Sequence, residues 1–411
     1  MTEVNPSAIP VKPAGVRPRL DALDLLRGWI MILMVLDHTR DFFSAEMFSF
    51  WPTQLEKTTP AFFFTRWITH FCAPLFCFLA GTGAFLSLTR GKTRGELSYF
   101  LLTRGAWLLV LELTWVNLSW TFNFGFPEFG GAVLWALGWS MIAMAALIHL
   151  PLWALTSFAV LVIAGHNLLD PIVPAQLGAL SGLWNVLHEG GPFRILPNTT
   201  FYAAYPLLPW IGVMAAGFAF GSIVQRERAE RQRLMLWLGF GLTLAFVLIR
   251  ATNVYGDPSP WAPHPRGPLF TVLSFLNAEK YPPSLLFLLM TLGPALIVLA
   301  LFDRRREPGR LAQPIIIFGR VPLFFYLLHL PLIHALALIY SYAKYGHPSG
   351  LFIIPPFWLQ EGAGKLYPAD YGIGLAGVYL VSLLVVVLLY LPCRWFAQLK
   401  QRRRDPWLSY F

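Results

Sequence analysis

Long apolar stretches recur along this chain at a frequency that no water-soluble fold can absorb. Runs of roughly 18 to 25 mostly apolar residues, enough to cross about 30 Å of hydrocarbon, begin near Leu25, Ala61, Leu101, Gly131, Leu152, Ala203, Leu234, Ser284, Pro314 and Tyr371. Of the 411 residues 56% are hydrophobic and only 13% charged, and the mean hydropathy of +0.57 describes a chain that takes lipid as its solvent. Within hydrocarbon the spans satisfy their backbone groups as helices. The sequence therefore predicts an all-α, polytopic membrane protein of about ten transmembrane helices. Residues 1–18 read as a tail before the helical domain, 19–395 as that domain, and 396–411 as a basic tail after it.

The net charge of +10 and sequence pI of about 9.6 do not point to nucleic acid, because the basic residues sit in short clusters between spans. Such clusters are topology signals. They recur at Arg90 to Arg94, Arg226 to Arg233 and Arg304 to Arg310. Placing the N-terminus in the cytoplasm puts about 22 of the 31 Lys and Arg there, so both termini are expected inside a multi-pass protein of a cell inner (plasma) membrane. The first twenty residues hold no apolar core of a cleavable signal, which leaves the first span to direct insertion. Cys72, Cys77 and Cys393 lie in or beside apolar spans without metal-ligand spacing, so neither a disulfide framework nor a metal is expected.

No internal repeat is apparent. Three long segments, Leu169 to Tyr202, Asn253 to Pro283 and Tyr345 to Asp370, fall on the expected extracytoplasmic side and are long enough to form a vestibule. The first contains Asn198-Thr199-Thr200, a common glycosylation pattern.

An ionisable side chain in hydrocarbon is costly unless paired, so each one inside a span is a functional candidate. Four stand out: His38, His70, Glu112 and His329. At 1.5 Å per residue they lie about 10 to 16 Å inward from the outer ends of four different spans, a shared depth that suggests one polar chamber. A single buried histidine can equally lock two helices through a carbonyl. Asp41, three residues from His38, is the local group placed to orient the imidazole, whereas Asp37 can pair with Arg40. Arg66 and His70 are four apart, and Tyr326 and His329 three apart, so each pair shares a helix face. His166 and His334 lie nearer span ends and read as interfacial. In the segment Asn277 to Ser284, two prolines fix the approach to the eighth span and place Lys280 and Tyr281 at its outer rim. Trp261, with His264 and Arg266, offers an aromatic face suited to a sugar or lipid headgroup.

Several stretches resemble the heparan-alpha-glucosaminide N-acetyltransferase catalytic-domain family of bacterial membrane proteins. They are Arg19 to Gly28 running into Met34 to Asp41, Thr69 to Gly81, Lys280 to Leu285, and Gly319 to His329. The similarity extends from about Arg19 to the tenth span. Arg27 followed by His38 also resembles the early helix of wider transmembrane acyltransferases. The resemblance makes 19–395 a transmembrane acyltransferase-like domain. It implies transfer of an acetyl or other acyl group from cytoplasmic acetyl-CoA or another acyl-CoA to an amine or hydroxyl of a small-molecule or glycan acceptor on the other side. The catalytic set expected is His38, Asp41, His70, His329 and Glu112. His38 would be the general base or transient acyl carrier, Asp41 its orienter, and His70 or His329 the oxyanion stabiliser. Arg66, Lys280, Tyr281, Tyr326 and Trp261 are expected to bind substrate. The bilayer is the expected partner, nucleic acid is not, and a homodimer is compatible with the reading. The competing reading is a transporter or lipid-binding protein whose intramembrane histidines relay protons.

Overall fold

The computed structural model describes residues 20–125, 128–196, 199–304, 309–353, 366–403 and 405–411. Asn198 and part of the third long segment lie outside the described residues, as does the tail at 1–18. The helices in chain order are α1 (Asp21–Phe43), α2 (Pro60–Thr69), α3 (Cys72–Thr89), α4 (Arg94–Leu111), α5 (Asn117–Thr121), α6 (Val133–Leu147), α7 (Leu152–Gly165) and α8 (Ser181–Trp184). There follow α9 (Leu207–Val224), α10 (Arg228–Thr252), α11 (Pro268–Leu276), α12 (Leu285–Asp303), α13 (Ala312–Arg320), α14 (Pro322–Tyr345) and α15 (Leu375–Arg402).

Eight helical stretches among the described residues are long and apolar enough to cross a membrane. They carry eight of the expected spans. The other two correspond to α1, which holds Arg27, Asp37, Arg40 and Asp41, and to the 15-residue α6. Helix α1 can carry those charges because α2, α3, α12, α13, α14 and α15 pack around it. It is the central helix of its half of the bundle.

Two spans are broken where prolines require it. Pro74 cannot donate to the carbonyl four residues back, at His70, and its ring would clash there. The helix accordingly stops at Thr69, turns through His70, and restarts at Cys72. The span expected from Pro314 is likewise two helices, because the residue before a proline is disfavoured in the α region. Val321, before Pro322, has φ −131° and ψ 49° and separates α13 from α14. A third proline, Pro331, leaves the Leu327 carbonyl without its helical donor, and the Trp115 indole supplies one at 2.8 Å. The tail expected to begin at 396 is instead a continuation of α15 to Arg402. Residues Pro406–Tyr410 then form a short helical turn against α4, with the Tyr410 and Thr103 hydroxyls 2.8 Å apart.

Close helix crossings rest on glycine. A Cβ on Gly28 would stand 1.9 Å from the Ile315 carbonyl oxygen, and one on Gly319 1.8 Å from that of Asp24, so α1 and α13 touch backbone to backbone. Gly81 and Gly217 do the same for α3 and α9, where Thr82 Oγ1 donates to the Gly217 carbonyl at 3.0 Å.

Contacts between helix ends show how the chain alternates. At one end Arg320 pairs with Asp21 at 3.1 Å, Arg231 with Asp303 at 2.7 Å, and Arg94 Nη1 donates to the His149 carbonyl at 2.9 Å. At the other, Ile373 N donates to the Phe43 carbonyl at 2.7 Å and Leu285 N to Asn167 Oδ1 at 2.9 Å. The long segments gather at this second end. A small sheet that the all-α reading did not contain joins the stretch before α6 to the first long segment; its strands are β1 (Glu128–Gly131), β2 (Gly191–Leu196) and β3 (Thr199–Ala203). Its order is β1-β3-β2, with β1 parallel and β2 antiparallel to β3. Phe201 seats it on the Trp135 ring at the start of α6, centroids 4.8 Å apart.

Candidate active site

The central helix and the broken second span build the site. Because α2 stops at Thr69, its last turn faces α1 rather than continuing through the bundle. Arg66 Nη1 reaches both oxygens of Asp37, at 2.7 and 2.8 Å, and Thr69 Oγ1 donates to Asp37 Oδ1 at 2.7 Å. On α1 itself Arg40 Nη2 lies 2.7 Å from Asp37 Oδ1 and 2.7 Å from Asp41 Oδ1. The other oxygen of Asp41 is 3.3 Å from His38 Nδ1. Two carboxylates and two guanidiniums thus form one alternating chain with the imidazole at its end. All four charged groups are buried. Paired in this way they offset much of one another's desolvation.

His38 retains 19% side-chain exposure, so it is the member of the chain that remains open. Its ring stands 5.2 Å from that of His329 on α14 and 5.1 Å, edge on, from Trp120. His329 is fully buried, and its Nδ1 lies 2.5 Å from the Tyr326 carbonyl. A carbonyl can only accept, so Nδ1 carries the proton and Nε2 keeps a lone pair. That Nε2 has no hydrogen-bond partner among the described residues. Tyr326 is buried, and its ring lies 5.2 Å from that of His329.

At the long-segment end, the Tyr281 hydroxyl is 3.5 Å from Arg66 Nη2, and the Lys280 ammonium sits 5.0 Å from the Tyr281 ring centre. Burial pushes the Tyr281 phenol up, while the Lys280 ammonium and the Arg66 guanidinium pull it down, and the balance holds it below the ordinary phenol range. Lys280 and Tyr281 therefore join the rim to the buried chain: Tyr281, Arg66, Asp37, Arg40, Asp41 and His38 follow one another through hydrogen bonds and ion pairs, and His329 adjoins His38 by ring contact.

Among the described residues no hydrogen bond or ring contact joins the remaining expected site residues to His38, although His70 lies within electrostatic reach of Arg66, Lys280 and Asp37, and Glu112 of Tyr326. His70 is buried at the break between α2 and α3, against Phe287 at 5.4 Å, with Nδ1 unpartnered among the described residues. No hydrogen bond or ring contact joins it to His38 among the described residues, and Arg66 turns to Asp37 instead of to it. Glu112 caps α6: its Oε1 accepts from Ala132 N and its Oε2 from Leu134 N, each at 2.9 Å. Both oxygens are engaged at a helix N-terminus, the end at which negative charge is favoured. Glu112→Gln replaces one acceptor with an NH2 group facing a buried N–H. The expected cost is about 1–3 kcal/mol, read as a lowered melting temperature, with acyl transfer per folded molecule little changed. Trp261 donates from Nε1 to the Arg250 carbonyl at 2.9 Å and packs on Phe275, which makes it a brace of its own loop.

Arg40 and Thr69 were not singled out as site residues from sequence. Arg40 is 1% exposed, and its Nε and Nη1 have no hydrogen-bond partner among the described residues. It thus holds spare donors one carboxylate away from His38. An arginine three residues after an aspartate had suggested only an ion pair.

A bundle of membrane-crossing helices that holds two neighbouring imidazoles, a carboxylate and spare guanidinium donors defines a membrane protein with a polar centre inside its span, the place where functional groups of such proteins lie. The family model "heparan-alpha-glucosaminide N-acetyltransferase, catalytic" matches residues 19–252. That is more than half of the chain, and the protein belongs to this family of membrane acyltransferases. No curated protein matches the chain. The family match includes His38, Arg40, Asp41, Arg66, His70 and Glu112 and ends before Trp261, Lys280, Tyr281, Tyr326 and His329. It is shorter than the resemblance drawn from sequence, which extended to the tenth span.

Proposed function

We propose that the protein transfers an acetyl or other acyl group from cytoplasmic acyl-CoA to an amine or hydroxyl of a sugar-like acceptor held at the long-segment end, with both termini in the cytoplasm. The observation that carries this reading is the His38–His329 ring pair, with His38 buttressed by Asp41 and linked through Arg40, Asp37 and Arg66 to Tyr281 at the rim. Family membership supplies the reaction class, and acetyl-CoA is the donor such acetyltransferases use in general.

In the proposed step His38 acts through Nε2, its Nδ1 proton being held by Asp41. The acceptor N–H or O–H loses its proton to His38 as the heteroatom attacks the thioester carbonyl. The C–S bond breaks on collapse, and His38 returns the proton to the departing thiolate. Arg40, with two unused donors, is placed to steady the oxyanion. The sequence had given that task to His329 or His70. With Nδ1 committed to the Tyr326 carbonyl, the neutral His329 ring has no proton at Nε2 to offer, and it serves as a second proton acceptor behind His38. Lys280 and Tyr281 orient the acceptor, the phenol as a polarised donor. The clustered Arg and Lys at the opposite end suit the anionic nucleotide of the donor.

The test is to reconstitute the purified protein in liposomes, supply acetyl-labelled acetyl-CoA, and offer hexosamines as acceptors. Labelled acetylated product with stoichiometric release of coenzyme A is expected. Flux of the acceptor across the bilayer without thioester consumption would instead establish the transporter reading.

A further inference from the structure

A second cluster of histidine and carboxylate lies away from the imidazole pair, where the first long segment leaves α7. His166 follows the last residue of α7, Asp170 ends the helical turn after it, and His188 sits on a π-turn, Asn185–Glu189, that follows α8. We propose that these three residues bind one divalent transition-metal ion of the zinc class, which fastens this segment to the end of α7.

Four observations carry the proposal. One ligand atom from each residue lies within 4.8 Å of the other two. Ligand atoms about 2.0–2.1 Å from a tetrahedral ion stand roughly 3.3 Å apart. His188 Nε2 and Asp170 Oδ1, 3.1 Å apart, are already at that spacing, and a small side-chain movement closes the third side. Second, His166 is buried without a partner: it is 2% exposed, and neither ring nitrogen is hydrogen-bonded among the described residues, whereas a histidine buried only for packing normally satisfies at least one nitrogen. His188, 1% exposed, turns its Nε2 toward Asp170. Third, the carboxylate is held from outside the cluster. Asn167 Nδ2 donates to Asp170 Oδ2 at 3.0 Å, leaving Oδ1 for the ion, and Asn167 Oδ1 is itself fixed by Leu285 N at 2.9 Å. Outer partners of this kind commonly orient metal ligands. Fourth, Asp170 keeps 26% side-chain exposure, which provides an approach for the ion and room for a water as fourth ligand.

The donor set selects the metal. Two imidazoles and one carboxylate with an open position suit zinc and neighbouring first-row ions, whereas calcium and magnesium call for oxygen ligands. Sequence spacing concealed the site because His188 stands 18 residues from Asp170 and is brought back only by the turn after α8. Through Asn167 the cluster is tied to the first residue of α12, so it also steadies the neighbourhood of the Lys280–Tyr281 rim. The proposal does not depend on the acyl-transfer reading.

The test uses the full-length protein with a histidine-free affinity tag, stripped by chelator and then given Zn2+ alone or Co2+ alone. One ion per chain is expected by elemental analysis, with Co2+ giving the visible absorption of a low-coordinate nitrogen and oxygen site. Zn2+ should raise the melting temperature. His188→Ala and Asp170→Asn should each weaken binding by at least about tenfold. Substoichiometric zinc, or binding unchanged in both variants, overturns the proposal. Should a variant not fold, X-ray absorption on the zinc-loaded wild type decides: two imidazole ligands are expected, and none or one overturns it.

Discussion

His38→Gln is expected to lower acyl transfer by about 10²–10⁴ and to leave the elution profile and helical signal of the protein unchanged. Glutamine approximates the volume of the ring but cannot take up a proton near neutral pH, so the variant removes the chemistry and spares most of the packing. The side chain is the one open member of the buried polar chain, with 19% exposure, and its only hydrogen-bonded side-chain partner among the described residues is Asp41, at 3.3 Å. Asp41→Asn should reduce transfer in the same direction by a smaller factor, because an amide at that position no longer enforces the Nδ1–H tautomer. Initial rates of coenzyme A release, normalised to folded protein, check both. An undiminished rate for His38→Gln would remove it as base.

Arg66→Met is expected to destabilise the protein by about 3–5 kcal/mol, the cost of leaving one member of a buried ion pair without its partner. Arg66 and Asp37 have side chains only 8% and 11% exposed, and Arg66 Nη1 reaches both Asp37 oxygens. The same substitution frees Asp37 to repel Asp41, since Arg40 alone then serves both carboxylates. Asp37→Asn should be costly by itself, yet the double variant should cost less than the two single changes added, with a coupling of about 0.5–3 kcal/mol. Denaturation of the four proteins in one detergent measures the cycle. Additive losses would mean that the pair is not a unit.

The helices were legible because a membrane imposes a length and a composition that can be counted along the chain. What was not legible were their interruptions, His70 and Val321, although Pro74 and Pro322 are the sequence signals for both. The contacts of His38 with Asp41 and of Asp37 with Arg40 were readable because i, i+3 neighbours on one helix need no tertiary knowledge. Contacts between helices were readable only in part. Depth is one coordinate of three, and residues at one depth on different helices meet only if their faces turn together. His38 and His329 do so; among the described residues His70 and Glu112 make no hydrogen bond or ring contact with His38, one lying against Phe287 and the other capping α6. The same limit hid the Arg66 contact with Asp37, since helical spacing pointed Arg66 toward His70. The small sheet escaped because its strands are four to six residues long and lie inside segments read as loops.

Acyl transfer at the His38–His329 imidazole pair is read most directly from coenzyme A release in liposomes given acetyl-CoA and a hexosamine, comparing wild type with His38→Gln and His329→Gln. Acceptor-dependent release is expected from the wild type, nearly abolished by the first substitution and reduced by the second. Release that is independent of acceptor, or equal in all three proteins, would contradict transfer at this pair.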